Sequence, residues 1–198
     1  MEGGGDSAEG RARLRQGLSE FLRSLREAAR QKRLHWKVVP CGSRNEAHDA
    51  FVNAAKKSSE AINVLLVDSE EPVANPPSPR AHLKQRDRWG LTGISEDSIH
   101  LMIQTMEAWI IADGDTVAKY YGQYFLKSAL PAAQNLEGIE KASIENALAH
   151  ATAQTQKKEY RKIRDAAVLL ERIDPKIVRR RCPSCERLFV TLAQAIEA

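Results

Sequence analysis

From Arg11 to Leu34, apolar residues recur at Leu14, Leu18, Phe21, Leu22, Leu25, Ala28 and Ala29, opposite a strongly basic face. That spacing predicts one long amphipathic helix. "HWKVVPCG", residues 35–42, reads as a short strand, and residues 43–57 as a second helix in which Ser43 and Glu46 are spaced as a capping box. "NVLLVDSEEP", Asn63 to Pro72, then runs four apolar residues into three acids with only a serine among them. An unbroken apolar run of this kind fits a strand covered on both faces, as in a parallel sheet. Helix, strand, helix, strand is the rhythm of a parallel sheet with crossover helices.

The rhythm breaks at residues 72–90, where four prolines between Pro72 and Pro79 precede a basic, aromatic stretch. This predicts a long loop over the end of the sheet. Strand character returns at Ile99 to Gln104 and turns helical near Met106. Beyond Asp113 the chain reads as helical pieces at Asp115 to Tyr121, Ile139 to His150, Glu159 to Ile173 and Pro183 to Ile196. In the third, Tyr160, Ile163, Ala167 and Leu170 share one face. The expected organisation is an α/β core over residues 1–113, with a helical part over 114–198 packed on it.

Composition narrows the classes. A chain of 198 residues with 28% charged and 42% hydrophobic residues is that of a soluble globular protein with a sizeable core. No apolar run approaches the ~20 residues that span a bilayer, and no signal-peptide pattern opens the chain, so no membrane partner and a cytoplasmic location are expected. Three cysteines argue against a disulfide scaffold. "CPSC" at Cys182 to Cys185 is half a zinc site or a helix start at Pro183. The patterns G-x-S-x-G, Walker A, H-E-x-x-H and the Rossmann fingerprint are all missing, which removes weight from serine hydrolases, NTPases, zincins and dinucleotide enzymes.

The net charge of +4 gathers in clusters at Arg11 to Arg33, Lys84 to Arg88, Lys157 to Arg164 and Arg179 to Arg181, which face either phosphates or solvent. Asp68, Glu70 and Glu71 leave the carboxyl end of a strand, where open α/β sheets hold ligands. Their crowding makes this either a solvated turn or a cation site. Glu2, in "EGGGD", and Glu107, just past the strand expected at Ile99 to Gln104, add carboxylates near glycine turns and strand ends; Asp113 competes as a helix stop or cap. Hard cations such as Mg²⁺ take a few carboxylates and several waters, and can orient an attacking water in phosphodiester cleavage. Arg44, just after a capped helix start, would anchor a phosphate or pair with Glu46 or Asp49. Lys157, Lys158 and Arg161 reach phosphates or solvent, and Trp89 packs or stacks on a base.

"EGGGDS", "VVPCGSRNEA", "LLVDSEEPV", "HLMIQTMEAWIIAD", "YYG", "LP", "ATAQTQKKEYRKI" and "LLERIDPKIVRRRCPSCERLF" occur in the order typical of the TOPRIM-like domain of unknown function 4276 family. The chain resembles that family over nearly its whole length. The resemblance implies a TOPRIM-like, Rossmann-like fold: a mostly parallel sheet flanked by helices, with a helical carboxyl-terminal half. It implies catalytic roles for Glu2, Asp68 and Glu70, and a Mg²⁺ or Mn²⁺ site drawing on them together with Glu107. Glu70 stands where the family pattern has a second aspartate, which lengthens that ligand by a methylene. TOPRIM domains also place a hydrophobic strand before the Glu-Gly turn, whereas only Met1 precedes Glu2; the first strand is expected to be missing from this chain, either because the true start lies upstream, which is the favoured reading, or because the protein lacks it, in which case Glu2 would be mobile. Related RloB-like and OLD-like proteins suggest a nuclease acting on nucleic acid, DNA rather than RNA, beside an ATPase partner in defence against foreign DNA. The alternative is a non-catalytic module that docks on the ATPase.

Overall fold

In a computed structural model, which describes residues 1–5, 7–57, 61–74 and 78–198, the first amphipathic run folds as two helices. Helix α1 (Ala8–Phe21) opens at Ser7, whose hydroxyl accepts the Gly10 N–H at 3.0 Å, and gives way to α2 (Arg23–Gln31) at Leu22. The break corrects the expected single rod. One apolar stripe serves two partners: α1 packs on α8 (Lys162–Leu170) and α2 on α10 (Pro183–Glu197), while i to i−4 bonds continue through Leu22, from Leu22 N–H to Leu18 O and from Arg26 N–H to Leu22 O. At Gly17, α1 meets the backbone of α8 so closely that a Cβ would lie 2.2 Å from the Ala167 carbonyl oxygen.

Helix α3 (Arg44–Lys57) begins with the expected capping box: Glu46 accepts the Ser43 N–H at 2.8 Å, and Ser43 Oγ accepts the Glu46 N–H at 3.3 Å. The strand expected over residues 35–42 is not formed. Its end makes an isolated antiparallel bridge, Gly3 to Gly42. Residues 1–3 are tied on both sides. The Met1 amine donates to Val39 O at 2.8 Å and Cys41 N–H to Met1 O at 2.9 Å, while Glu2 N–H donates to Leu66 O at 3.2 Å. The expected mobility of Glu2 is corrected by this backbone anchoring.

Strands β1 (Leu65–Asp68) and β2 (Ile99–Met102) pair in parallel, Leu65 opposite Ile99 through Asp68 opposite Met102. The α/β class and the parallel pairing hold, but the sheet is two-stranded and the protein is helical overall, with ten α-helices among the described residues. Both strands are wholly buried. Alternation divides β1: Leu65 and Val67 join Phe51, Leu83 and Leu91 in one cluster, while Leu66 joins the larger cluster around Trp109 on the other face. Phe21 stacks on Trp109 at 5.6 Å in that larger cluster.

The loop expected over residues 72–90 contains helix α4 (Pro79–Asp87). Proline at the first helical position loses no hydrogen bond, and Ser78 caps the turn by accepting the Ala81 N–H at 3.2 Å, so the last proline of the run starts a helix instead of forbidding one. Pro76 and Pro77 lie outside the described residues. Helices α5 (Met106–Ala112), α6 (Gly114–Tyr121) and α7 (Lys141–Thr152) follow the expected pieces. Helix α8 starts later than expected: Tyr160 precedes it and Ile163 is 69% exposed, whereas Ala167 and Leu170 are buried as expected, joined by Asp165, Ala166 and Leu169. Helix α9 (Pro175–Arg181), capped by Asp174, was not expected, and α10 begins at Pro183 between the buried Cys182 and Cys185. Among the described residues no helix is long and apolar enough to cross a membrane.

A candidate acidic site at the end of the parallel pair

The last residue of β1, Asp68, is 2% exposed. Its Oδ1 accepts the N–H of Met106 at 2.8 Å, which ties the strand end to the first turn of α5. Its Oδ2 accepts from the Lys162 ammonium at 3.0 Å. Glu107, one position along α5, is 1% exposed and is clamped from both sides: Tyr160 O–H donates to Oε1 at 2.8 Å and the Thr105 hydroxyl donates to Oε2. Lys162 reaches the same Oε2 at 3.4 Å. Two buried carboxylates thus share one ammonium, which arrives from the start of α8 on a side chain 43% exposed.

Their electrostatics differ. Burial pushes the Asp68 carboxyl up to about 6; Glu107 and Glu2 repel its charge and push the same way, and Lys162 opposes. Burial also works to raise Glu107, but Lys162, the Thr105 hydroxyl and the Tyr160 hydroxyl outweigh it and hold Glu107 below the ordinary range. Burial works to lower Lys162, and the two carboxylates override it and hold the ammonium firmly protonated. Burial and the neighbouring Glu107 keep the Tyr160 hydroxyl well above its usual value, so it remains a donor.

The residues singled out in the sequence separate around this cluster. Glu2 forms an ion pair with Arg44 at 3.0 Å and adds its charge to the field at Asp68. Arg44 pairs with neither Glu46 nor Asp49. It grips Asp87 with two bonds of 2.8 Å, donates to the Asp68 carbonyl oxygen and lies 5.0 Å over the Trp89 ring, so its donors are committed to protein partners. Glu70 turns away from Lys162. It sits at φ 68°, donates its N–H to Gln104 O at 2.8 Å and pairs with Lys141 of α7 at 2.5 Å. Glu71 is 65% exposed beside Arg86. Asp113 is a cap, accepting N–H groups from Thr116 at 3.2 Å and Asp174 at 2.9 Å.

Lys157 lies 5.2 Å over the Tyr120 ring and Lys158 is exposed, so both face solvent near the start of α8. Trp89 is buried and stacks on His48 at 4.6 Å, which leaves no open face for a base. A cavity of about 570 Å³ lined by Met1, Trp36, Phe51, Leu66 and Leu192 is not lined by the acidic residues.

Sequence reasoning missed Lys162, Tyr160 and Thr105. Lys162 and Tyr160 flank Arg161 in a basic run, and nothing in their spacing distinguishes them from their neighbours. Thr105 could have been found, since a hydroxyl two positions before an acid at a helix start is a local signal.

A hard divalent cation is commonly held by one or two carboxylates, with water and substrate oxygens filling the other positions. Asp68 and Glu107 fit that donor set. Among the described residues no three His, Cys, Asp or Glu side chains are placed to hold a metal by themselves.

The model of a family described as "Domain of unknown function (DUF4276)" matches residues 1–193. No curated protein and no solved structure matches.

Proposed function

The chain belongs to the DUF4276 family, and on that premise we propose that it is a TOPRIM-like phosphodiesterase that uses Mg²⁺ or Mn²⁺ to cleave nucleic acid, DNA in preference to RNA. The observation that carries the reading is the buried pair Asp68 and Glu107, brought together at the carboxyl end of β1 with a single lysine between them. Asp68 and Glu107 would hold the ion, with Glu2 adding negative charge beside them. When bound, such an ion supplies charge stabilisation at phosphate oxygens and makes its water a stronger nucleophile at neutral pH.

The chain's own residues account for the rest. Thr105 and Tyr160 fix the Glu107 carboxylate, the Met106 N–H fixes Asp68, and Arg44 holds Glu2 in place by gripping Asp87 and the Asp68 carbonyl. Lys157, Lys158 and Arg161, exposed at or near the start of α8, would meet flanking phosphates. An ATPase partner, a role in defence against foreign DNA and a cytoplasmic setting belong to the same reading.

The test is cleavage of DNA and RNA with Mg²⁺ or Mn²⁺ by the wild type and by Asp68→Asn, a change that retains an acceptor for the Met106 N–H. Cleavage should fall on the order of a hundredfold or more in the variant while the fold persists. Undiminished cleavage overturns the assignment.

One observation favours a second reading. Lys162 already neutralises part of the acidic pair, as in a non-catalytic module whose carboxylates are structural and whose surface docks on an ATPase. A melting temperature indifferent to millimolar Mg²⁺ and Mn²⁺ would select that module.

A further inference from the structure

We propose that Lys162 is a displaceable counter-ion, whose ammonium holds the place between Asp68 and Glu107 until a divalent cation takes it. The inference rests on the reading that this site binds such an ion. It deepens that reading by assigning the competitor the ion must remove.

Each acid is held by groups other than Lys162. Glu107 keeps its Tyr160 and Thr105 donors, and Asp68 its Met106 N–H, whatever the lysine does. The lysine is held differently. The carboxylates are 2% and 1% exposed as residues, whereas the Lys162 side chain is 43% exposed and enters from the surface at the first residue of α8. A flexible four-carbon stem of this kind lets the ammonium withdraw into water without moving the helix.

Charge gives the exchange its direction. One ammonium faces two buried carboxylates, so the pair keeps an excess of negative charge, while Glu2 beside them is balanced by its ion pair with Arg44. A doubly charged ion at the same place interacts about twice as strongly with each carboxylate, and it repels the ammonium, so the two exclude each other. The apparent affinity for the ion is therefore the intrinsic affinity reduced by the work of displacing Lys162. Removing the ammonium should tighten binding.

Mn²⁺ alone, titrated by calorimetry into the wild type, Lys162→Met and Lys162→Gln, tests this. Both variants should bind roughly tenfold or more tightly than the wild type, show a larger rise in melting temperature on saturation, and lose binding when Asp68→Asn is added. A Lys162→Met protein that folds only with Mn²⁺ present supports the exchange equally; one that stays unfolded with Mn²⁺ overturns it. If the wild type binds Mn²⁺ and the variants bind it equally or more weakly, the counter-ion proposal falls and the metal reading stands. If none of the three binds at millimolar concentration, both fall.

Discussion

Lys162 Nζ lies 3.0 Å from Asp68 Oδ2 across 94 positions of sequence, joining the first residue of α8 to the last residue of β1. The contact closes the acidic site, and it also makes the site depend on how α8 docks. The sheet supplies Asp68, the helix after β2 supplies Glu107, and only the docking of α8 supplies their shared cation. Three expectations follow from this arrangement and from the buried groups around it.

Asp68 weakens the fold at neutral pH. Its folded pKa is raised from 3.8 to about 6, so the folded state holds the proton more tightly than the unfolded chain. The stabilisation from that proton is complete below pH 3.8 and is lost as pH rises through about 6. Asp68→Asn should therefore stabilise the protein at pH 7.5, on the order of 2–3 kcal/mol at ~1.4 kcal/mol per unit, and the gain should vanish near pH 4. Urea unfolding at the two pH values measures it. A variant no more stable than the wild type at pH 7.5 would refute the assignment of strain to this carboxyl.

His100 acts in the opposite sense. It is 1% exposed on β2, with Nε2 donating to Asp97 O at 2.9 Å and Nδ1 accepting from Arg187 at 3.2 Å, an arrangement that needs a neutral ring. Burial first, and then the Arg187 charge, lower its pKa from 6.5 to about 4. Here the unfolded chain binds the proton more readily, so the neutral ring's stabilisation is complete above pH 6.5 and is lost as pH falls towards 4. The loss is roughly 3 kcal/mol. His100→Gln should flatten the acid side of the stability profile, and the difference between variant and wild-type profiles from pH 7.5 to 4.5 isolates the effect from that of Asp68. An unchanged acid limb would count against it.

Gly17 sets the position of Lys162. A methyl at Gly17 would meet the Ala167 carbonyl oxygen at 2.2 Å, so α8 must move to admit it. Gly17→Ala should cost about 1–3 kcal/mol and, by shifting α8, should weaken the contact that brings Lys162 to Asp68. Gly138→Ala, at a position with open space around it, is the matched control. Scanning calorimetry of both variants gives the comparison, and equal melting temperatures would remove the argument from close packing.

Much of the fold was legible because it depends on neighbours along the chain. The apolar run before Asp68 demanded a strand covered on both faces, and Leu65–Asp68 forms one, with Val64 just outside it; Ser43 with Glu46 formed their capping box. The errors have local causes too. The Pro72 to Pro79 run reads as a breaker, although a proline at the first helical position is tolerated, and Leu22 continues the apolar stripe across the junction of α1 and α2.

The candidate site divides along a different line. Sequence by itself determined which carboxylates end β1 and begin α5, since the unbroken apolar run before Asp68 and the change from strand to helix near Met106 place Asp68 and Glu107 from residues within a few positions of each. Only the tertiary structure decided what those acids face. Glu70 went to Lys141 and Arg44 to Asp87, and Lys162 and Tyr160 came to Glu107 from a basic run whose members look alike in sequence. The reason is physical. Backbone propensity and burial act over a few residues, but an ion pair is chosen by whichever charge the packed helices bring within reach, and that choice is made at the distance of the whole fold.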